Sequence, residues 1–571
     1  IIEDLKKEGY LKKQENVEQN VGLCWRCKAP IEILVKNQWF VAVKDLIEDV
    51  KHTTDEIKWT PEYMETRLLN WTGSMDWDWC ISRQRIFATP VPVWYCSKCG
   101  KVHIASEDML PVDPTQDKPE GKCKCGNGEF IGETDVLDTW MDSSISPLSI
   151  TGWPDENFKN YYPTSLRPQG HDIIRTWAFY TILRCKALTG ERPFDEIVVN
   201  GMVFGEDGYK MSKSRGNVIS TEEVLENYGA DALRLWAANS FPGSDVPFAW
   251  KDVKYGYKFL RKFWNAFRFI NMHIEGFEAS MGEEEIIENL NSMDKWILSK
   301  LNRLTVDVTN SIESYTFANA VNKIQAFIWH DFCDEYIEAV KYRLYGDSAE
   351  LAISKEVAQY TLKTVILTSL KLLAPLTPHF VDEIYSYMSP EDVSIHKTLW
   401  PEVNKKLISE RAEETGIVGV ELIGEIRRFK SGSKMSLNAP IKTLNIYTTN
   451  SDLIEEIKEL SADIKGTMRI NGLNVMYGKP DIKEKVTEII PQMAKIGPEF
   501  KGDAPKVVKY LQSADMDEIV AKLDEDGEII IDGCKITWDH IEAKKEVVGE
   551  TGEKVEIIHA SNLDVILEII V

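Results

Sequence analysis

Two hydrophobic textures share this chain, and the change between them near residue 250 limits its fold more than any other feature. From there to about residue 388, apolar residues recur at helical spacing. Ile297, Leu301, Leu304 and Val308 fall on one face, and Val365, Leu367, Leu370 and Leu373 nearly so, until Pro375 and Pro378 close the run. Upstream, residues 76–240 are rich in Trp, Gly and Pro, and short apolar runs such as 197–200 stand between helical patterns. That alternation predicts an α/β domain, with a helical bundle after it. Beyond about residue 405 the texture turns again. Leu444 and Ile446 alternate with Thr443 and Asn445 as in a strand, and the runs 529–531 and 535–538 flank Asp532-Gly533, a hairpin turn pair. A small α+β domain is expected there.

A length of 571 residues suggests three or four domains. No run approaches the roughly 20 apolar residues that span a bilayer, and no signal-peptide layout opens the chain. No membrane role is expected. The chain begins at Ile1 and enters an amphipathic stretch at once, which reads as part of something longer. A net charge of −24 argues against a surface coated in nucleic acid. Two local runs remain basic, residues 251–262 (KDVKYGYKFLRK) and 427–434 (RRFKSGSK). Each is read either as a phosphate-facing patch or as solvated helix surface.

Six of the ten cysteines sit in close pairs: Cys24/Cys27, Cys96/Cys99 and Cys123/Cys125. Without an export signal, such pairs favour metal over disulfides and a cytoplasmic location. Cys96, Cys99, Cys123 and Cys125 place four thiolates in one short loop-rich span, as a tetrahedral Zn²⁺ requires. His103 is a weaker candidate ligand. Cys24 and Cys27 make only half a site.

The sharpest chemical signal is Lys210-Met211-Ser212-Lys213-Ser214, after an apolar run and the turn Gly205-Glu-Asp-Gly208, and before Arg215-Gly216-Asn217. Two lysines and two hydroxyls on one loop suit a triphosphate whose charge grows as pyrophosphate departs. Lys434-Met435-Ser436 lacks the second lysine and the preceding strand, and is set aside.

These five residues match the KMSKS signature of class I aminoacyl-tRNA synthetases, and other blocks resemble the same family. Asn70-Trp71 and the Asp78-Trp79-Cys80-Ile81-Ser82-Arg83-Gln84 block are similar to the isoleucyl, valyl and leucyl subgroup. The segments around Asp135–Trp140, Thr151–Pro154, Leu166–Trp177 and Ser240–Phe248 resemble the valyl pattern. The likeness covers roughly residues 1–400. It implies the second half of a Rossmann-type α/β catalytic domain (76–249) with a zinc-binding insertion (94–130) and the KMSKS loop. Before it would lie a return segment from an editing insertion (1–75). After it would come an all-α anticodon-binding domain (250–405) and the α+β C-terminal domain (406–571). By the resemblance, Cys24 and Cys27 would complete a zinc knuckle with a pair outside this chain.

Residue by residue, the resemblance implies that Lys210 and Lys213 act on the departing pyrophosphate with Mg²⁺. Met211, Ser212, Ser214, Gln169, Gly170, Asn200, Gly201 and Val203 would approach ATP or the adenylate. Asp172 would hold the amino group of valine, with Ile173, Trp177 and Phe87 as apolar walls. On its residues alone, core packing on a helix face is the alternative for Trp177, and Phe87 stands where the family pattern has Trp. No His-x-Gly-His motif occurs, so the first half of the nucleotide-binding fold, and most of an editing domain, are expected to lie outside the chain. The expected function is ATP-dependent valine activation and transfer to tRNA(Val), with the chain inactive alone. The alternatives are a non-catalytic tRNA-binding half-synthetase and an isoleucyl ligase.

Overall fold

The apolar run at 194–200 becomes the middle strand of a three-stranded parallel sheet. Phe194–Asn200 lies between Thr164–Gly170 on one side and Lys58–Thr60 on the other. Its Phe194, Ile197 and Val199 are buried, and they meet Val50, Leu68, Phe179, Ile182 and Leu183 from the helices Ile47–Asp55, Glu65–Gly73 and Phe179–Thr189. Parallel neighbours need a crossover, and Phe179–Thr189 supplies it between Thr164–Gly170 and Phe194–Asn200. The computed structural model describes residues 1–571 apart from 25–26, 347, 390, 392–393, 551–552 and 561. The chain forms two units, residues 1–200 and 201–571.

In the first unit, the Asp78–Gln84 block acts as a tie. Phe40–Val41 pairs antiparallel with Trp79–Cys80, and the Trp39 amide donates to Ser82 Oγ at 2.9 Å. Arg83 meets Asp138 at 2.9 Å, and Trp79 Nε1 donates to the same carboxylate at 3.2 Å. A small antiparallel sheet of Val93–Cys96, Val102–Ile104 and Phe130–Gly132 carries the cysteine cluster.

The second unit opens on Val203–Phe204, paired in parallel with Val246–Pro247. The long helices Trp250–Ile274, Ser292–Glu313 and Ala352–Leu373 follow, with Glu410–Gly432 after them. Their core does not stop near residue 405. One continuous cluster runs from Phe259 and Trp296 through Leu422 into Leu444, Ile446 and Leu567 of a four-stranded sheet. That sheet orders Ile470–Tyr477, Ile441–Thr448, Val565–Ile570 and Glu556–Ala560, so the last strand closes against the first one after the helix. Residues 486–541 keep a core of their own. Within that body, Ile529–Ile531 and Cys534–Ile536 form the hairpin that Asp532-Gly533 predicts. Residues 406–571, read from texture as one domain, therefore feed two cores.

At Gly416 two helices approach closely: a Cβ there would lie 2.1 Å from the Trp296 ring, so only glycine fits. The same unit holds a buried polar knot. Arg343 Nη1 meets Asp294 Oδ1 at 2.8 Å, both side chains wholly buried, and Tyr336 OH donates to the same oxygen at 2.6 Å. Asp463 joins from the next helix, accepting from Asn291 Nδ2 at 3.2 Å and from the Met293 amide at 3.4 Å. No described helix is long and apolar enough to cross a membrane.

Candidate functional site

In the first unit, the expected adenylate and valine residues gather at the carboxyl ends of the parallel strands, where open α/β sheets bind ligands. Gly170 and Asn200 face each other in register, with Gln169 opposite Val199. Gln169 is buried, and neither polar atom of its side chain has a hydrogen-bond partner among the described residues. Such a group carries a desolvation cost unless something else meets it. The chain then turns through His171–Ile173, leaving Asp172 exposed. Asp172 Oδ1 folds back over Gly170, within 2.7 Å of where a Cβ would stand.

A π-helical turn, Ile174–Ala178, carries Trp177. Its indole is in the core, stacked near Phe194, and its Nε1 donates to the Ser143 carbonyl at 3.0 Å. Ile173 packs beside this core half-buried. The Arg167 guanidinium lies 3.5 Å above the Trp177 ring, which sequence reasoning missed. Arg167 stands only ten residues upstream, but nothing in its spacing signals a stacking partner. Phe87 does not join the group; it is 93% exposed in the loop after Ser82–Arg83.

The four insertion cysteines do converge. Cys96 and Cys125 sulfurs are 3.6 Å apart, Cys99 and Cys123 sulfurs 3.5 Å, and all four lie within 4.8 Å of one another. A tetrahedral ion with bonds of about 2.3 Å sets its sulfurs about 3.8 Å apart, so the cluster fits such an ion. Asn127 Nδ2 reaches Cys96 Sγ at 3.4 Å, a second-layer donor to a thiolate. His103 stands apart, its ring edge-on to Phe130. Of the other pair, Cys24 is half-buried and Cys27 exposed in a turn, while the two residues between them lie outside the described residues.

In the second unit, Gly201 and Val203 enter the short parallel pair. Gly201 is required there, because a Cβ would fall 1.8 Å from the Ser244 carbonyl oxygen. The KMSKS residues follow a tight hairpin in which Phe204 bridges Lys210 and Gly205 N–H donates to the Tyr209 carbonyl at 2.8 Å. Met211 turns inward against the small core of Val224, Ala232, Phe248 and Val253. Lys210 and Lys213 point to solvent, in no ion pair among the described residues. The Ser212 and Ser214 hydroxyls lie 3.3 Å apart.

The two basic runs differ. Along the Trp250–Ile274 helix, Lys251, Lys254, Lys258, Arg261 and Arg268 are exposed at helical spacing. A cleft of about 520 Å³ next to this stripe is lined by Trp264, Asn265, Arg268, Phe269, Met272 and Tyr387. The run 427–434 is not a basic face. Arg427 pairs with Glu335 at 3.0 Å and Arg428 with Glu425. Lys430 is wholly buried and donates to the carbonyls of Leu437, Ala439 and Met468 at 3.0, 2.7 and 2.7 Å.

Residues 10–249 match the class I tRNA synthetases for I, L, M and V, and residues 294–446 match the anticodon-binding domain of tRNA ligases. A valine–tRNA ligase of Methanothermobacter thermautotrophicus is 61% identical over 570 residues, covering 100% of this chain and 64% of that protein. The chain is similar over its whole length to valine–tRNA ligases. Those of Methanocaldococcus jannaschii and Methanococcus maripaludis are 52% and 49% identical, over 98% and 99% of this chain and 62% and 63% of theirs. The chain thus spans just under two thirds of the length of these valine–tRNA ligases. Among solved structures, a LeuRS–tRNA–LeuAMS complex from Agrobacterium radiobacter is similar at 22% identity and TM-score 0.48, over 58% of this chain and 43% of that one.

Proposed function

We propose that this chain is the C-terminal part of a valine–tRNA ligase that activates valine with ATP and transfers it to tRNA(Val) in the cytoplasm. Identity of 61% across the whole chain to such an enzyme carries the reading and favours valine over isoleucine. In this reading Asp172 holds the valine ammonium by a charge-assisted hydrogen bond, and Ile173 and Trp177 limit its side chain. Gln169, Gly170, Asn200, Gly201 and Val203 meet the adenylate. The valine carboxylate attacks the α-phosphate, an O–P bond forms, the α–β anhydride breaks, and pyrophosphate leaves against Lys210 and Lys213. Mg²⁺ accompanies ATP. Zn²⁺ on Cys96, Cys99, Cys123 and Cys125 would brace the insertion.

The same proposal assigns residues 1–75 to an editing return segment, 76–249 to the catalytic half and 250–405 to anticodon binding, with 406–571 a C-terminal domain. The exposed basic stripe and aromatic cleft of the Trp250–Ile274 helix support tRNA binding there. Phosphates need cations, and unstacked bases need rings. Valine-dependent exchange of pyrophosphate into ATP tests the reading. The whole protein, including the portion its relatives carry ahead of this chain, should exchange with valine and not isoleucine, and the 571-residue chain alone should not. A whole protein that binds tRNA(Val) without exchange would instead be a non-catalytic tRNA-binding protein.

A further inference from the structure

Asn217 stands three residues beyond the KMSKS signature, and its side chain is the most heavily bonded in the loop. Its amide nitrogen donates to both oxygens of Asp207, at 3.0 and 3.2 Å, and lies 3.3 and 3.4 Å from the carbonyls of Lys210 and Tyr209. Its amide oxygen accepts the Ser212 N–H at 2.9 Å. One planar group therefore holds the backbone on either side of Met211, the residue between Lys210 and Ser212.

The other parts are built around this contact. Asp207 also accepts the Tyr209 N–H at 3.1 Å, which sets it at the hairpin tip. The hydrogen bond from Asn217, followed by that from Tyr209, holds the Asp207 carboxyl below the usual carboxylate range. Gly205 leaves the space. A Cβ there would come within 2.9 Å of the Asn217 carbonyl oxygen and of Asp207 Oδ1, and 3.0 Å of Asn217 Nδ2. Arg215 closes the far side, its guanidinium 4.1 Å over the Tyr209 ring.

We infer that Asp207 and Asn217 form a latch that fixes the directions of Lys210 and Lys213 before pyrophosphate is released. This rests on the proposed ligase reading, in which those two lysines meet the leaving group. Asn217 touches no reacting atom and is a positioning residue. Preorganised cations stabilise developing charge without reorganising during the reaction, and small misplacements from outside the chemistry can cost about 10²-fold. The loss should therefore fall on kcat, with valine KM little changed.

Asp207 and Asn217 act through one contact, so their losses should not multiply. Asn217→Ala frees both backbone segments, and Asp207→Ala removes the partner that holds the amide. Exchange kinetics of the whole protein and tryptic cleavage at Lys210, Lys213 and Arg215 of this chain test the scheme together. Asn217→Ala should lower kcat by about 10²-fold with valine KM within about twofold of wild type, Asp207→Ala should lower kcat in the same way, and both should speed cleavage. The double variant should stay within about threefold of Asn217→Ala in both readouts. Wild-type kcat in Asn217→Ala, or losses that multiply in the double variant, overturns the latch. If the wild-type whole protein shows no valine-dependent exchange, the ligase reading fails. The cleavage arm still decides the latch: faster cleavage in both single variants that does not multiply in the double variant supports it, and unchanged cleavage overturns it.

Discussion

Asp463 is buried to 1% exposure beside a second carboxylate, Asp294, and replacing it with Asn is expected to stabilise the second unit at neutral pH. Burial foremost, then the Asp294 charge, pushes Asp463 up to about 6, against the pull of Arg343. In the unfolded chain an aspartate titrates near 3.9, and each pK unit is worth about 1.36 kcal/mol, so the ionised form weakens the native state by at most about 3 kcal/mol. Below about pH 4 the group is protonated in both states and costs nothing. Between about 4 and 6 the native protein keeps a proton that the unfolded chain has released, so stability falls as pH rises; above about 6 the loss is complete. Asn cannot titrate, and its one amide oxygen can keep the bond from Asn291 Nδ2 that Asp463 Oδ1 accepts at 3.2 Å, while the longer bond from the Met293 amide to Oδ2, at 3.4 Å, is given up and trims the gain. Urea unfolding of wild type and Asp463→Asn, at several pH values from about 4 to 8, isolates the effect of this buried pair, because carboxylates away from it cancel in the difference. The variant should be more stable at about pH 7.5 by up to about 3 kcal/mol, and the gap should close towards about pH 4. A pH-independent gap, or a variant less stable at every pH, would refute the argument.

Lys213→Ala in the whole protein should lower kcat for valine-dependent exchange by about 10²-fold, the scale of losing one oriented donor to a developing anion; wild-type kcat would remove Lys213 from the chemistry. Metal analysis of the chain should find zinc on the insertion cluster, and Cys123→Ser should lose it; retained stoichiometric zinc in that variant would place the metal elsewhere. Replacing Lys254, Lys258 and Arg261 with Ala should weaken binding of tRNA(Val) and reduce the slope of log K against log salt by about 2 to 3, roughly 0.7 to 0.9 for each phosphate left without its cation. An unchanged slope would mean that the stripe faces solvent in the complex.

Some features of this protein were legible in sequence because they are local. KMSKS, the cysteine pairs, the helical spacing of 297–308 and the Asp532-Gly533 turn each place their chemistry within a few dozen residues, where spacing alone constrains geometry. The tertiary structure decided what depends on which long-range neighbour arrives. Lys430 reads as surface charge until the Met468 carbonyl, 38 residues away, joins two nearer carbonyls around its amine. The neighbours of Trp177 are likewise set by the fold, which brings the Ser143 carbonyl to its nitrogen and Arg167 over one face. The 93% exposure of Phe87 is also set by the fold and not by its place in the motif. The role of Asn217 was hidden for a similar reason, although the residue itself lies beside the motif. An amide side chain states its bonding capacity but not its partners, and those were set by a hairpin that returns Asp207 to within 3.0 Å. Periodicity and spacing follow from the covalent chain, whereas burial and charge pairing depend on contacts that only folding brings about.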